Sequence, residues 1–331
     1  MNKIKKQPEE FAENNLPASF SFDAEIAAAI RELAKLGPPP AIERGDWKSV
    51  RDSGNAGWRI WANAAPDYPD VQKKTFFTNT QDGVSMELRW YAKEGSKPGS
   101  AVVYAHGGGM ILGSLDVYDF VVSEYVSKSG VPFLAVDYRL APESKGTMLA
   151  EDVFSGISWL VAHATELEID TNRIAVMGDS GGGAPAAGAA IIARERKVTL
   201  AHQILIYPML DDRNLQPDPF IKPFATWSYD NNFTGWSAVL GSEPGTETVS
   251  PIIAPARLKD FAGLPSTYIE TGELDIFRDE DISYAMGLLK AGVPVELHVL
   301  TGAPHGYDRI APGSQLAQRA MNDRIRTIQS I

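Results

Sequence analysis

The chain has 331 residues, 44% of them hydrophobic and 22% charged, with a formal net charge of −11. Such acidity repels phosphate backbones and anionic bilayer surfaces, so neither a nucleic-acid partner nor membrane adhesion is expected. Cysteine is absent, which excludes disulfides, thiolate metal sites and a cysteine nucleophile.

The length suits one large α/β domain with an accessory piece. No apolar run approaches the roughly 18–20 residues of a spanning helix, so no stable membrane insertion is expected. The start, Met1-Asn2-Lys3-Ile4-Lys5-Lys6, is basic, but Gln7-Pro8-Glu9-Glu10 stands where a signal peptide would turn apolar. A cytoplasmic enzyme is the expectation.

In chain order, residues 24–36 carry an amphipathic helix pattern stopped by Gly37-Pro38-Pro39-Pro40. A second helical stretch covers 44–64. No strand pattern occurs before residue 70, so residues 1–70 read as a helical cap. Strand patterns follow at 75–79, 85–91, 101–105, 133–138, 174–177, 203–207, 267–270 and 296–300. The first two read as an antiparallel hairpin around Asp82-Gly83. Helical patterns at 115–129, 148–164, 181–196, 279–291 and 314–328 alternate with the later strands. That alternation predicts a mostly parallel eight-stranded sheet flanked by helices. Residues 211–264 interrupt it, rich in proline and in aromatics such as Phe224 and Trp227. A structureless loop of that length would be unusual, so they read as a second, partly helical cap segment. The catalytic body is then 71–210 and 265–331.

Three features carry chemistry. Gly178-Asp179-Ser180-Gly181-Gly182 matches G-x-S-x-G, which about one chain in ten of this glycine content would hold by chance. Its context is more specific, because an apolar strand precedes it and a small-residue helix follows, as a nucleophile elbow requires. His106-Gly107-Gly108-Gly109 follows the third strand. Its exposed amides suit an oxyanion hole, and His106 reads as a brace for the loop.

The base is found by elimination among five histidines. His163 ends a helix, and His202 and His298 lie at or in strands. His305 alone lies in a loop after the last strand, where the Ser…Asp/Glu…His order puts the base. The acid should follow the seventh strand, and Asp275 is preferred with Glu273 in reserve. Asp279 and Glu280 read as first-turn residues of the next helix.

With these residues in view, the chain resembles the bacterial hormone-sensitive lipase family of α/β-hydrolases (family IV esterases) over nearly everything after residue 70. Matching blocks are His106-Gly107-Gly108-Gly109, Tyr138-Arg139-Leu140-Ala141-Pro142-Glu143, Gly178-Asp179-Ser180-Gly181-Gly182, Ser250-Pro251, Asp275 with Arg278-Asp279-Glu280, and Pro304-His305-Gly306. The resemblance implies an α/β-hydrolase fold with a two-part cap, and oxyanion donors at Gly108, Gly109 and Gly181. Departures are Ser144-Lys145-Gly146-Thr147-Met148 after Glu143, Ile276-Phe277 after the acid, Gly181 where alanine is usual, and Met110 where an aromatic is common.

The expected activity is hydrolysis of short- to medium-chain acyl esters by Ser180, His305 and Asp275, with no metal or organic cofactor. Met110, Phe224 and Trp227 are the expected pocket residues. An amidase, an acyltransferase and a non-catalytic small-ligand receptor are the rivals, the last disfavoured because such receptors lack the base. Leu316, Ala320, Ile325 and Ile328 give the last helix apolar positions. These either pair two copies into a homodimer or pack on the chain's own sheet.

Overall fold

The computed structural model describes residues 20–37 and 40–331. The reading of the N-terminus as lacking a signal peptide, and part of the proline stop after the first helix, lie outside them.

Helices α1 (Ala24–Ala34) and α2 (Trp47–Ala64) precede the sheet. They begin at Asp23 and Asp46, whose carboxylates accept first-turn amide hydrogens. Then come β1 (Val71–Asn79), β2 (Ser85–Lys93), β3 (Ala101–Ala105), α3 (Leu115–Ser129), β4 (Phe133–Val136) and α4 (Met148–Ala162). β5 (Ile174–Asp179) runs through a 3-10 turn into α5 (Gly183–Glu195), followed by β6 (His202–Ile206) and α6 (Tyr229–Leu240). The chain closes with β7 (Ser266–Gly272), α7 (Arg278–Lys290), β8 (Val295–Leu300), the single turn α8 (Tyr307–Ile310) and α9 (Gln315–Gln329).

The strands form one eight-stranded sheet in the order β1-β2-β4-β3-β5-β6-β7-β8. The expected β1–β2 hairpin pairs Asn79 with Ser85. β2 also pairs β4 antiparallel, and β4, β3, β5, β6, β7 and β8 are mutually parallel. β1 starts at Val71, earlier than its sequence pattern. Its added residues are mostly exposed and include Lys73 and Lys74, so they carry no apolar alternation to read. Lysines on an outer strand also discourage edge-to-edge association.

β3 is buried at every position, as a strand covered on both faces must be. Its Val103 and Ala105 join a core with α4, α5 and α7, and its Val102 and Tyr104 join one with α3 and α9. In α9, Leu316, Ala320 and Ile328 are buried in that second core and Ile325 packs against it. Those apolar positions therefore pack on the chain's own sheet.

α5 approaches its neighbours closely because its side chains are small. A Cβ on Gly188 would stand 2.3 Å from the Ile252 carbonyl oxygen and 2.8 Å from Ala150. Within 211–264, α6 is the one long helix, begun by the Ser228 hydroxyl accepting from the Asn231 amide at 3.0 Å. α6 meets the residues leading into α2: the Gly45 amide donates to Thr234 Oγ1 at 2.9 Å, and the Arg44 guanidinium lies 3.8 Å from the Phe233 ring centre.

A buried ionic cluster ties β7, α8 and α9 together. Arg324, fully buried, holds Glu270 through Nε at 3.1 Å and Asp308 through Nη1 at 2.7 Å, and Tyr307 donates to Glu270. Removing the cation strands two buried carboxylates, at a cost of roughly 3–5 kcal/mol. Arg324→Met is therefore expected to lower the free energy of urea unfolding by about that amount; an unchanged midpoint would show the cluster to be energetically idle.

Candidate active site

Ser180 sits where β5 ends and the turn into α5 begins, with φ +52°, left-handed for a non-glycine residue. Such a conformation costs roughly 1–2 kcal/mol and persists only where its surroundings over-determine it. The surroundings explain the flanking glycines. A Cβ on Gly178 would stand 2.3 Å from the Gly182 carbonyl oxygen, and one on Gly182 would stand 2.2 Å from that of Ala105.

The turn aims Ser180 Oγ at His305 Nε2, 2.8 Å away. His305 Nδ1 lies 2.7 Å from Asp275 Oδ2. A carboxylate only accepts, so Nδ1 carries the proton and Nε2 is free to accept from the serine hydroxyl. Asp275 is 1% exposed and also accepts the Phe277 amide at 3.0 Å. Tyr207 and Phe277 pack edge-on against the imidazole, with ring centres at 4.9 and 5.1 Å. Glu273 lies apart from this line and accepts the Gly302 amide at 2.9 Å.

The other histidines serve elsewhere. His163 faces the Trp159 carbonyl at 2.8 Å, His202 that of Ala201 at 3.1 Å, and His298 faces Glu296 at 2.7 Å. His106 is 1% exposed, stacks on Tyr138 with ring centres 4.6 Å apart, and donates from Nδ1 to the Gly107 carbonyl at 2.8 Å.

The glycine loop is set beside the serine by contacts that the sequence reading did not foresee. The Tyr138 hydroxyl donates to the His106 carbonyl at 2.7 Å, and the Ala141 amide donates to that of Met110 at 2.9 Å. Arg51 of α2 binds the carbonyl oxygens of Ile111 and Ala141 and both oxygens of Glu143. Gly108 and Gly109 take φ of +119° and +57°, and neither amide finds an acceptor among the described residues. A Cβ on Gly181 would lie 2.3 Å from the Gly109 nitrogen, so the loop and the elbow meet there.

Of the expected pocket residues, Trp227 packs its ring on Gly109, and Phe224 meets Phe22 edge-on at 5.1 Å. Met110 is 1% exposed within the hydrophobic core beside Ile111 and Leu112. Among the described residues, no group of three or more His, Asp or Glu is placed to hold a metal ion, and no helix is long and apolar enough to cross a membrane.

Burial shapes two ionisable groups here. Asp179 accepts from the Tyr104 hydroxyl at 2.8 Å and from Arg309 at 3.4 Å. Desolvation still raises its carboxyl to about 6 against the pull of Arg309 and Arg324. His106 is pushed down by burial to about 4, which keeps its ring neutral at ordinary pH.

A strand-ordered sheet with Ser180, Asp275 and His305 assembled at the carboxyl ends of its strands defines an α/β-hydrolase. Comparison with known proteins agrees: a family described as alpha/beta hydrolase fold matches residues 102–309. Ethyl acetate hydrolase of Pseudomonas putida is 31% identical over 307 residues, covering 86% of this chain and 90% of that one. Esterase LipI of Mycobacterium tuberculosis is 34% identical over 231 residues, 67% of this chain and 69% of its own. Among solved structures, a bacterial heroin esterase aligns with a TM-score of 0.84 at 32% identity, covering 94% of this chain and 98% of that one. The chain belongs to the α/β-hydrolase family, in its hormone-sensitive-lipase-like branch. It is a serine ester hydrolase, a carboxylesterase.

The neutral His106 makes stability depend on pH. Its folded value lies below the unfolded 6.5, so its contribution is complete above pH 6.5 and is lost as pH falls towards 4. The difference amounts to about 3 kcal/mol. Urea unfolding of the wild type should therefore weaken between pH 7 and 4 by about that much more than in His106→Gln. Parallel pH dependences would contradict a neutral buried ring.

Proposed function

We propose that Ser180, His305 and Asp275 form the catalytic triad, and that Gly108, Gly109 and Gly181 donate to the oxyanion. The observation that carries this is the continuous line of hydrogen bonds from Ser180 Oγ to His305 at 2.8 Å and on to Asp275 at 2.7 Å. His305 takes the serine proton as Oγ attacks the ester carbonyl, and Asp275 stabilises the imidazolium without itself taking the proton. The negative charge then develops beside the unpaired loop amides, where fixed donors stabilise it most. His305 passes its proton to the leaving alcohol, and water repeats the cycle on the acyl-enzyme.

The cap in this reading comprises residues 1–70 and 211–264, over a catalytic body of 71–210 and 265–331. Its contacts support short- to medium-chain acyl groups. Trp227 lies on the oxyanion loop and Phe224 on Phe22, so bulky aromatic side chains flank the glycine loop. The relative named ethyl acetate hydrolase points the same way. An amidase and an acyltransferase would use the same groups, whereas a non-catalytic receptor would have no need of the Ser180–His305 hydrogen bond. Pairing of two copies has one support, the position of β8 at an edge of the sheet, and sedimentation equilibrium decides it.

Ser180→Ala should lower kcat/KM for p-nitrophenyl butyrate by roughly 10⁴-fold or more while the folded circular dichroism is kept. Asp275→Asn should cost about 10³- to 10⁴-fold and Glu273→Gln far less; the reverse ranking would move the acid to Glu273. Across p-nitrophenyl esters and matched anilides, activity should peak at short to medium acyl chains. A maximum at long chains, or anilides exceeding esters, would overturn the substrate reading.

A further inference from the structure

We propose that Thr226 is a positioning residue that holds the His305 main chain from the cap side, so that seating residues 226–227 on the site improves the register of the base. This rests on His305 being the base.

The segment carrying His305 is irregular and has left-handed glycines at Gly302 and Gly306, with φ of +74° and +65°. Its conformation is therefore set by outside anchors. Gly302 accepts from the Asp23 amide at 2.9 Å and donates to Glu273 at 2.9 Å, and Ala303 accepts from the Leu274 amide at 2.9 Å. All three lie upstream of His305. The anchor on His305 itself is the Thr226 hydroxyl, which donates to its carbonyl oxygen at 2.6 Å. Among the described residues no other hydrogen bond reaches the His305 main chain.

The next residue, Trp227, touches the opposite side of the reaction centre. A Cβ on Gly109 would stand 2.5 Å from Trp227 Cζ2. Two consecutive cap residues thus span the site, one on the base and one on the oxyanion loop. The segment is held down through Phe224, which packs edge-on at 5.1 Å against Phe22. Phe22 adjoins Asp23, whose amide already anchors Gly302. Both cap pieces therefore converge on the loop of the base. A displacement of the imidazole by a fraction of an ångström penalises proton transfer more than ester binding, because the transfer needs His305 Nε2 within hydrogen-bond reach of Ser180 Oγ.

The test compares Thr226→Val, which keeps shape and loses the hydroxyl, with Thr226→Ser, which keeps the hydroxyl. His305→Ala is the control, and p-nitrophenyl butyrate is the substrate for the full chain. Thr226→Val should lower kcat about three- to tenfold, as expected for one lost hydrogen bond. KM should change less than about twofold and the melting temperature should hold, while Thr226→Ser should restore most of kcat. Wild-type kcat in Thr226→Val, a loss confined to KM, or an equal loss in Thr226→Ser would each overturn the proposal. If His305→Ala is inactive and Thr226→Val behaves as wild type, only the positioning role fails. If His305→Ala keeps wild-type turnover, the base assignment fails and takes this inference with it.

Discussion

The left-handed backbone of Ser180, at φ +52°, constrains much of the molecule around it. A non-glycine residue stays in that region only if its neighbours leave no better choice. Here the choice is removed by close approach: the would-be Cβ atoms of Gly178 and Gly182 fall within 2.3 and 2.2 Å of carbonyl oxygens. The small-residue run of α5 continues the same requirement, since a bulkier helix could not lie so near β5 and α4. The strain is thereby carried by packing.

Behind the elbow lies a set of buried charges whose balance is uneven. Three carboxylates, Glu270, Asp308 and Asp179, face two guanidiniums, Arg324 and Arg309. Asp308, facing Arg309 at 3.7 Å and bonded to Arg324 and the Tyr207 hydroxyl, is held well below the usual carboxylate range against its own desolvation. Asp179 has Arg309 at 3.4 Å but no bond to Arg324, and desolvation raises it instead. Charge is placed where the counter-ion is close, and the poorly paired carboxyl absorbs the desolvation. Through these residues the chain segments on either side of Ser180 and His305 share one rigid foundation.

The two pieces outside the sheet attach through directional polar contacts. Arg51 grips the loop that follows the glycines, Thr226 donates to the His305 carbonyl and Thr234 accepts from the Gly45 amide. Apolar burial accompanies them: Val50 of α2 and Tyr229, Trp236 and Val239 of α6 join the first core, and Ile26 of α1 joins the second. The directional contacts fix the register of these pieces over the site, and the apolar ones hold them to the body of the molecule.

The order of strands and helices, the β1–β2 hairpin and the positions of Ser180 and His305 were legible from local pattern. Apolar runs, turn glycines and chain order depend on neighbours in sequence. Asp275 was preferred over Glu273 from the sequence, but two carboxyls in one short turn differ chiefly in which one the fold aims at the imidazole, and that is visible only in the 2.7 Å contact of Asp275 with His305. Met110 follows the glycines in sequence, and its depth of burial is visible only in the tertiary structure. The antiparallel β2–β4 pairing, the clamp of Arg51 and the bond from Thr226 to His305 join residues 42 to 92 positions apart. The sequence by itself determined which chemical groups exist and the order in which they come. Tertiary structure alone decided which of them meet, since a hydrogen bond needs a placement within about 3 Å that no local pattern encodes.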